Sequence, residues 1–331
     1  MRPAWRTARL VLLLAGATLL AILVWHNDPE AILHSIRQLS WRLIVVILFP
    51  FSLVNVLDTL GWRFAFRRDR VPFSTLFSAR LAGEAFNLTT PTASVGGEAV
   101  KAWLIRHHVP MDEALSSVIV AKTTITIAQG LLLIVGLPCA WVLLPHDSPL
   151  LRVMLWLLLV EVLAVGGFVA FQMGGLLGRG GRVLGRFAFL ERLAGGLGRL
   201  DDSLAVFYRR EPARLALSTL FHFLGWVASG VEVWVALHLL GFPISLTAAM
   251  LIEAFSTAVR FATFMVPASI GALEGGHVAI FAALGLGGTT GMAFSIVRRI
   301  REAAWIGVGF VALAAYRGVV PAPAAVAASE R

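Results

Sequence analysis

The sequence predicts an all-α polytopic membrane protein of about six full spans plus two broken, re-entrant helical hairpins. Three observations carry that prediction. Of 331 residues, 58% are apolar (AVILMFWYC) and only 14% are Asp, Glu, Lys or Arg, whereas soluble domains carry about 25% charged residues. The mean hydropathy is +0.82. The apolar residues fall in unbroken runs of about 15 to 25, long enough for membrane helices and unlike the short alternating segments of a β-barrel. A single cysteine, Cys139, excludes a disulfide framework and a thiolate metal site.

The elements follow in order. Arg2, Arg6 and Arg9 precede an apolar run at 10–25 that is too long for a signal-peptide core, so it is read as an uncleaved first span. A second span covers 41–62, and Arg63, Arg67, Arg68 and Arg70 crowd the loop after it. Residues 73–106 form a first hairpin broken at 87–97, because each arm carries charges and the middle is rich in Pro and Gly. Residues 115–137 and 150–172 then cross. The polar segment 173–214 holds eight arginines, with an amphipathic helix expected over 186–208, lying on an anionic leaflet or forming a plain solvated loop. A span at 215–240, a second hairpin at 245–286 broken at 267–273, and a long helix at 290–316 complete the series. The whole of 1–331 reads as one integral domain: a first half 1–172, the arginine-rich segment, a second half 215–318 and a tail 319–331.

Positive-inside logic places both termini of a multi-pass chain in the cytoplasm. The net charge of +9 then comes from loops, which removes any need for a nucleic-acid partner. At membrane depth stand seven cations, Arg80, Lys101, Lys122, Arg260, Arg298, Arg299 and Arg301, with eight acids, Asp58, Glu84, Glu98, Glu161, Glu232, Glu253, Glu274 and Glu302. An ionised group at mid-bilayer costs about 2.5–3.5 kcal/mol unless paired or hydrated.

The two broken stretches share an order of parts. Pro91 is followed by Glu98, Lys101 and Lys122; Pro267 is followed by Glu274, His277 and Arg298, at the same spacings from proline to carboxylate and to the late cation. The hairpins are expected to enter from opposite faces, as in an inverted repeat. A helix break in the membrane is tolerated where freed backbone groups line a polar cavity, and the return helices start with their N-termini there. The candidate substrate-binding set is Arg80, Glu84, Asn87, Pro91, Gly96, Gly97, Glu98, Lys101, Lys122, Glu253, Arg260, Pro267, Gly271, Glu274, His277, Arg298, Arg301 and Glu302. Internal salt bridges that hold the hairpins in place are the competing account. No catalytic residue, metal or cofactor is expected: His222 and His238 read as packing or interface histidines, and the glycines at 174–181 lack the Lys-Ser/Thr of a nucleotide loop.

At 91–98 with Lys101, and at 266–276 followed by 297–302, the chain resembles the flippase-like transmembrane domain of lysylphosphatidylglycerol synthases, and within it a hopanoid-biosynthesis-associated branch. The resemblance spans about 41–316. It implies translocation or transport of lipids, hopanoids or anionic phospholipids, with membrane lipids and lipid-synthesis enzymes as partners. Only an Ala/Pro tail follows Tyr316, so aminoacyl transfer is not expected. A membrane scaffold for lipid synthesis and an intramembrane headgroup enzyme using Glu98 or Glu274 are the alternatives.

Overall fold

The computed structural model describes residues 41–90, 95–173 and 191–319, with ten scattered positions between 18 and 37. Among the described residues every regular element is a helix. Helices α1 (Arg42–Leu48) and α2 (Phe51–Phe64) form one interrupted span, broken at Pro50, which has no N–H to continue the ladder. The first hairpin is α3 (Phe73–Thr89) and α4 (Gly96–Ile105), followed by the long α5 (Met111–Leu143) and by α6 (Pro149–Met173). After α7 (Glu191–Arg210) come α8 (Pro212–Leu239) and the second hairpin, α9 (Leu246–Ala262) and α10 (Ala272–Ala283), joined through a 3-10 turn at Pro267–Ser269. The last helix is α11 (Gly288–Val319).

Length and composition make four of these segments competent to cross a bilayer: 42–64, α5, most of α6, and α8. Helix α11 has 32 residues, more than a crossing requires, and carries Arg298, Arg299, Arg301 and Glu302. Of the expected first span, 10–25, only positions 18 and 21–25 are described, and the residues at Pro91 and nearly all of the tail lie outside the described residues.

The two halves repeat one plan. Each has a span, a 17-residue arm, a short return helix of 10 or 12 residues, and a long helix of 33 or 32. The return helices rise only about 15–18 Å, roughly half the hydrocarbon thickness, so neither can cross alone. The leading spans α2 and α8 pack against each other antiparallel: Phe64 stacks on Phe221, Gly61 lies under His222, and Gly225 faces Asp58. The arms are exchanged, since α3 packs along α11 and α9 along α5. Each half's first arm is thus held by the other half's long helix, as expected for inverted halves related by an approximate two-fold.

Small residues permit these approaches. At Gly136 a side chain would strike Ala254 on α9, and at Gly309 it would meet the Leu81 carbonyl and Ala85 on α3. The apolar core among the described residues forms three clusters, one around Leu132, Leu237 and Phe281, a second around Trp62, Leu104 and Phe207, and a small one at Met292 and Ala293. The second corrects one expectation. Residues 191–210 are helical, but Leu204 and Phe207 are buried with Trp62, Phe66 and Val118, so the apolar face of the helix's C-terminal half is covered by protein.

Candidate functional site

Both hairpins and both leading spans converge on one cavity of about 590 Å³. Helix α2 supplies Asn55 and Asp58, α3 supplies Arg80, Glu84 and Asn87, α4 supplies Glu98 and Lys101, and α5 supplies Lys122 and Gln129. From the other half come His222 and Trp226 on α8, Glu253 and Arg260 on α9, and Arg298, Arg301, Glu302 and Trp305 on α11. Phe264 and Met265, both exposed, line it beside the second break.

Most of these charges are matched. Arg80 bridges Asp58 and Asn55, and the same Asp58 carboxylate lies 3.1 Å from Nδ1 of His222. Lys101 donates to both oxygens of Glu98, at 3.1 and 3.2 Å. Asn87 ties the first hairpin together: its amide nitrogen donates to Glu98 at 3.2 Å, and its oxygen accepts from the Gly97 N–H at 2.8 Å. Arg298 grips Glu253 with two hydrogen bonds, 2.8 and 3.2 Å, and Arg301 pairs with Glu232. Arg260 donates to Glu302 at 2.6 Å. The pairs offset the cost of placing ions in the membrane, although a buried pair adds little net stability over an apolar one.

Three ionisable groups stand apart. Glu84 and Lys122 line the cavity, yet neither side chain makes a hydrogen bond or ion pair among the described residues; Lys122 acts on Glu98 only through its field. Glu161 on α6 is 2% exposed, with neither carboxylate oxygen hydrogen-bonded among the described residues. It faces the backbone of Gly130 on α5, next to the cavity-lining Gln129.

Of the residues singled out from the sequence, the cavity gathers Arg80, Glu84, Asn87, Glu98, Lys101, Lys122, Glu253, Arg260, Arg298, Arg301 and Glu302. Glu274 and His277 lie outside it, because α10 turns both toward α9 and α11. Glu274 accepts from Arg299 at 2.6 Å and from the N–H of Gly271 at 2.7 Å. His277 is satisfied by Ser256 at 2.9 Å and Ser295 at 2.7 Å, and sits against the rings of Phe281 and Phe294. Gly271, with φ 82°, starts α10, and Gly97 is closed off by Gly83 and Asn87, so neither offers its backbone to this cavity. Gly96 does not line it either. Pro91 lies outside the described residues, and Pro267 opens the 3-10 turn.

The matched spacing from proline to late cation pairs Lys122 with Arg298; in the structure Arg298 holds Glu253, and its neighbour Arg299 holds Glu274. Sequence reasoning passed over Asn55, took His222 for a packing or interface residue, and left Arg299, Asp58 and Glu232 among the charges at membrane depth without a site. The small residues Gly61, Ser218 and Gly225 were the available signal, since they let α2 and α8 close on the Asp58–His222 contact.

The fold and site define a polytopic α-helical membrane protein built as two antiparallel halves around a charged internal cavity. The chain belongs to the family of the lysylphosphatidylglycerol synthase transmembrane region, whose model matches residues 8–326, and so to the membrane proteins of lipid metabolism or transport. No curated protein and no solved structure matched the chain.

Proposed function

We propose that this protein moves lipids between leaflets of a bacterial inner membrane, with both termini in the cytoplasm, by carrying the headgroup through the cavity between its two broken hairpins. The observation that supports this reading is that charged residues from both halves face one cavity rather than separate pockets. The exposed Phe264 and Met265 beside it suit acyl chains that stay in the bilayer while the headgroup passes. Apart from Glu84, the cavity's acids are engaged by Arg, Lys or His partners, which favours a transfer route over acid–base chemistry. Anionic phospholipids and hopanoids are the cargo classes that the sequence resemblance implies.

The test is transfer in proteoliposomes, using lipids labelled on the acyl chain and a membrane-impermeant quencher. Protein-containing vesicles should expose inner-leaflet label faster than empty ones, and Lys122→Gln, which breaks no pair among the described residues, should slow that exposure. Folded protein that gives no acceleration for any lipid would leave scaffolding of lipid synthesis as the better account.

A further inference from the structure

Helix α6 turns most of its surface outward: Leu159, Val160, Val162 and Leu163, the neighbours of Glu161, are all exposed, while Glu161 is buried. Glu161 stands at the midpoint of this 25-residue helix, about 18 Å from either end. Its carboxyl turns to α5 at Gly130, where a Cβ would lie 3.7 Å from the carboxyl carbon. The cavity ends close by. Thr126 on α5, one turn before Gly130, and Ala164 on α6, one turn after Glu161, both line it. A short loop makes these two helices antiparallel, so both positions lie on the same side of Glu161.

No side chain around this acid answers it. Helix α6 packs against α5, α7 and α9. The charge nearest to Gly130 along α5 is Lys122, about two turns away. Helix α9 brings Glu253 and Arg260, already committed to Arg298 and Glu302. Helix α7 carries Arg199, Asp201 and Asp202, and α6 itself Arg152. None of these makes a hydrogen bond or ion pair with Glu161 among the described residues. No set of three acids, imidazoles or thiols among those residues could share a metal ion with it either.

We infer that Glu161 is a proton-binding site through which a proton gradient drives lipid movement. The inference rests on the translocation reading and names its energy source. While α6 is closed on Gly130, an ionised carboxylate would stand in hydrocarbon with no partner, so the closed packing holds the neutral acid. Release of the proton to cavity water leaves a carboxylate that is stable only where water reaches it. That favours a state in which α6 parts from α5 at Gly130 and opens the side of the cavity at Ala164. One proton, taken from water on one side of the membrane and released to the other, thus biases two packings of a single helix pair. Only the O–H bond of the carboxyl forms and breaks.

Two measurements on the full chain in proteoliposomes test this. Infrared difference spectra between acidic and alkaline pH should show a protonated-carboxyl band that Glu161→Gln removes. Identical spectra from wild type and variant would overturn the proton site and leave translocation standing. In the lipid-exposure assay, a difference of one pH unit is a tenfold proton ratio, so a gradient of one orientation should accelerate wild type by up to about tenfold. Glu161→Gln, with a Tm no lower than wild type, should respond to neither orientation, and Glu161→Leu gives a second reading should glutamine disturb the packing. A wild type indifferent to the gradient, or a folded variant that keeps the response, would overturn the coupling. An intact carboxyl band with no lipid exposure under any gradient would defeat the translocation reading itself.

Discussion

Gly97 and Gly83 pack backbone to backbone across the first hairpin. A Cβ at Gly83 would fall 2.8 Å from the Gly97 carbonyl oxygen, and one at Gly97 would strike the Gly83 carbonyl and the Asn87 amide. Because Asn87 also links Gly97 to Glu98, this contact sets where the return helix carries the Glu98–Lys101 pair. Gly97→Ala should therefore destabilise the protein by about 1–3 kcal/mol, the usual cost of overpacking, read as a lower Tm in detergent. Gly166→Ala, at a position with open space around it, should leave Tm unchanged.

The Arg298–Glu253 pair is 6% and 2% exposed at its two side chains. Glu253→Gln strands the guanidinium and should cost about 3–5 kcal/mol, whereas replacing both residues with methionine should restore most of the loss. Thermal melts of the single and double variants check this. A single variant that melts like wild type would mean that cavity water already solvates Arg298.

Helix α7 should behave as part of the protein core. Phe207, 2% exposed in the cluster with Trp62 and Val118, should lose about 3–5 kcal/mol on truncation to alanine. If a Phe207→Ala variant keeps its Tm but loses affinity for anionic vesicles, the helix belongs to the membrane surface instead.

Asp69 joins the loop after α2 to the start of α8, accepting from Arg214 at 2.5 Å and from Arg63 at 3.2 Å. Partial burial alone would raise its carboxyl, but the hydrogen bond and charge of Arg214, seconded by Arg63, hold it below the ordinary carboxylate range. A depressed folded value means the contribution is present above the unfolded value of about 3.9 and is lost as pH falls through the folded one. The pair is well exposed, so it is worth at most about 1 kcal/mol. Asp69→Asn should lower Tm slightly from pH 5 to 7, and the difference from wild type should shrink as pH falls below the ordinary carboxylate range.

Glu161 is the reverse case, a buried acid without a hydrogen-bonding partner among the described residues. Glu161→Leu should raise Tm, since a buried unsatisfied polar group costs about 1–3 kcal/mol. A fall in Tm would reveal a partner for this carboxyl.

Apolar run length by itself determined the helical membrane class and the spans expected at 41–62, 115–137, 150–172 and 215–240, which the structure holds at 42–64, 111–143, 149–171 and 212–239, because a bilayer admits helices of one minimum length. The Pro/Gly breaks marked both hairpins, since a proline followed closely by glycines between charged arms disfavours a continuous helix. The sequence also showed which charges lie at membrane depth, as their positions within apolar runs are fixed by the chain. It did not show which charge meets which. Arg298 and Arg299 are neighbours in sequence, yet a turn of about 100° per residue sends one to Glu253 on α9 and the other to Glu274 on α10. Asp58 and His222 come together across 164 residues only because α2 and α8 pack antiparallel on small residues. Tertiary structure therefore decided the pairing, the exclusion of Glu274 and His277 from the cavity, and the two charges left unmatched within it. Helical phase and interhelical contact set those outcomes, and neither is carried by any one segment of the chain.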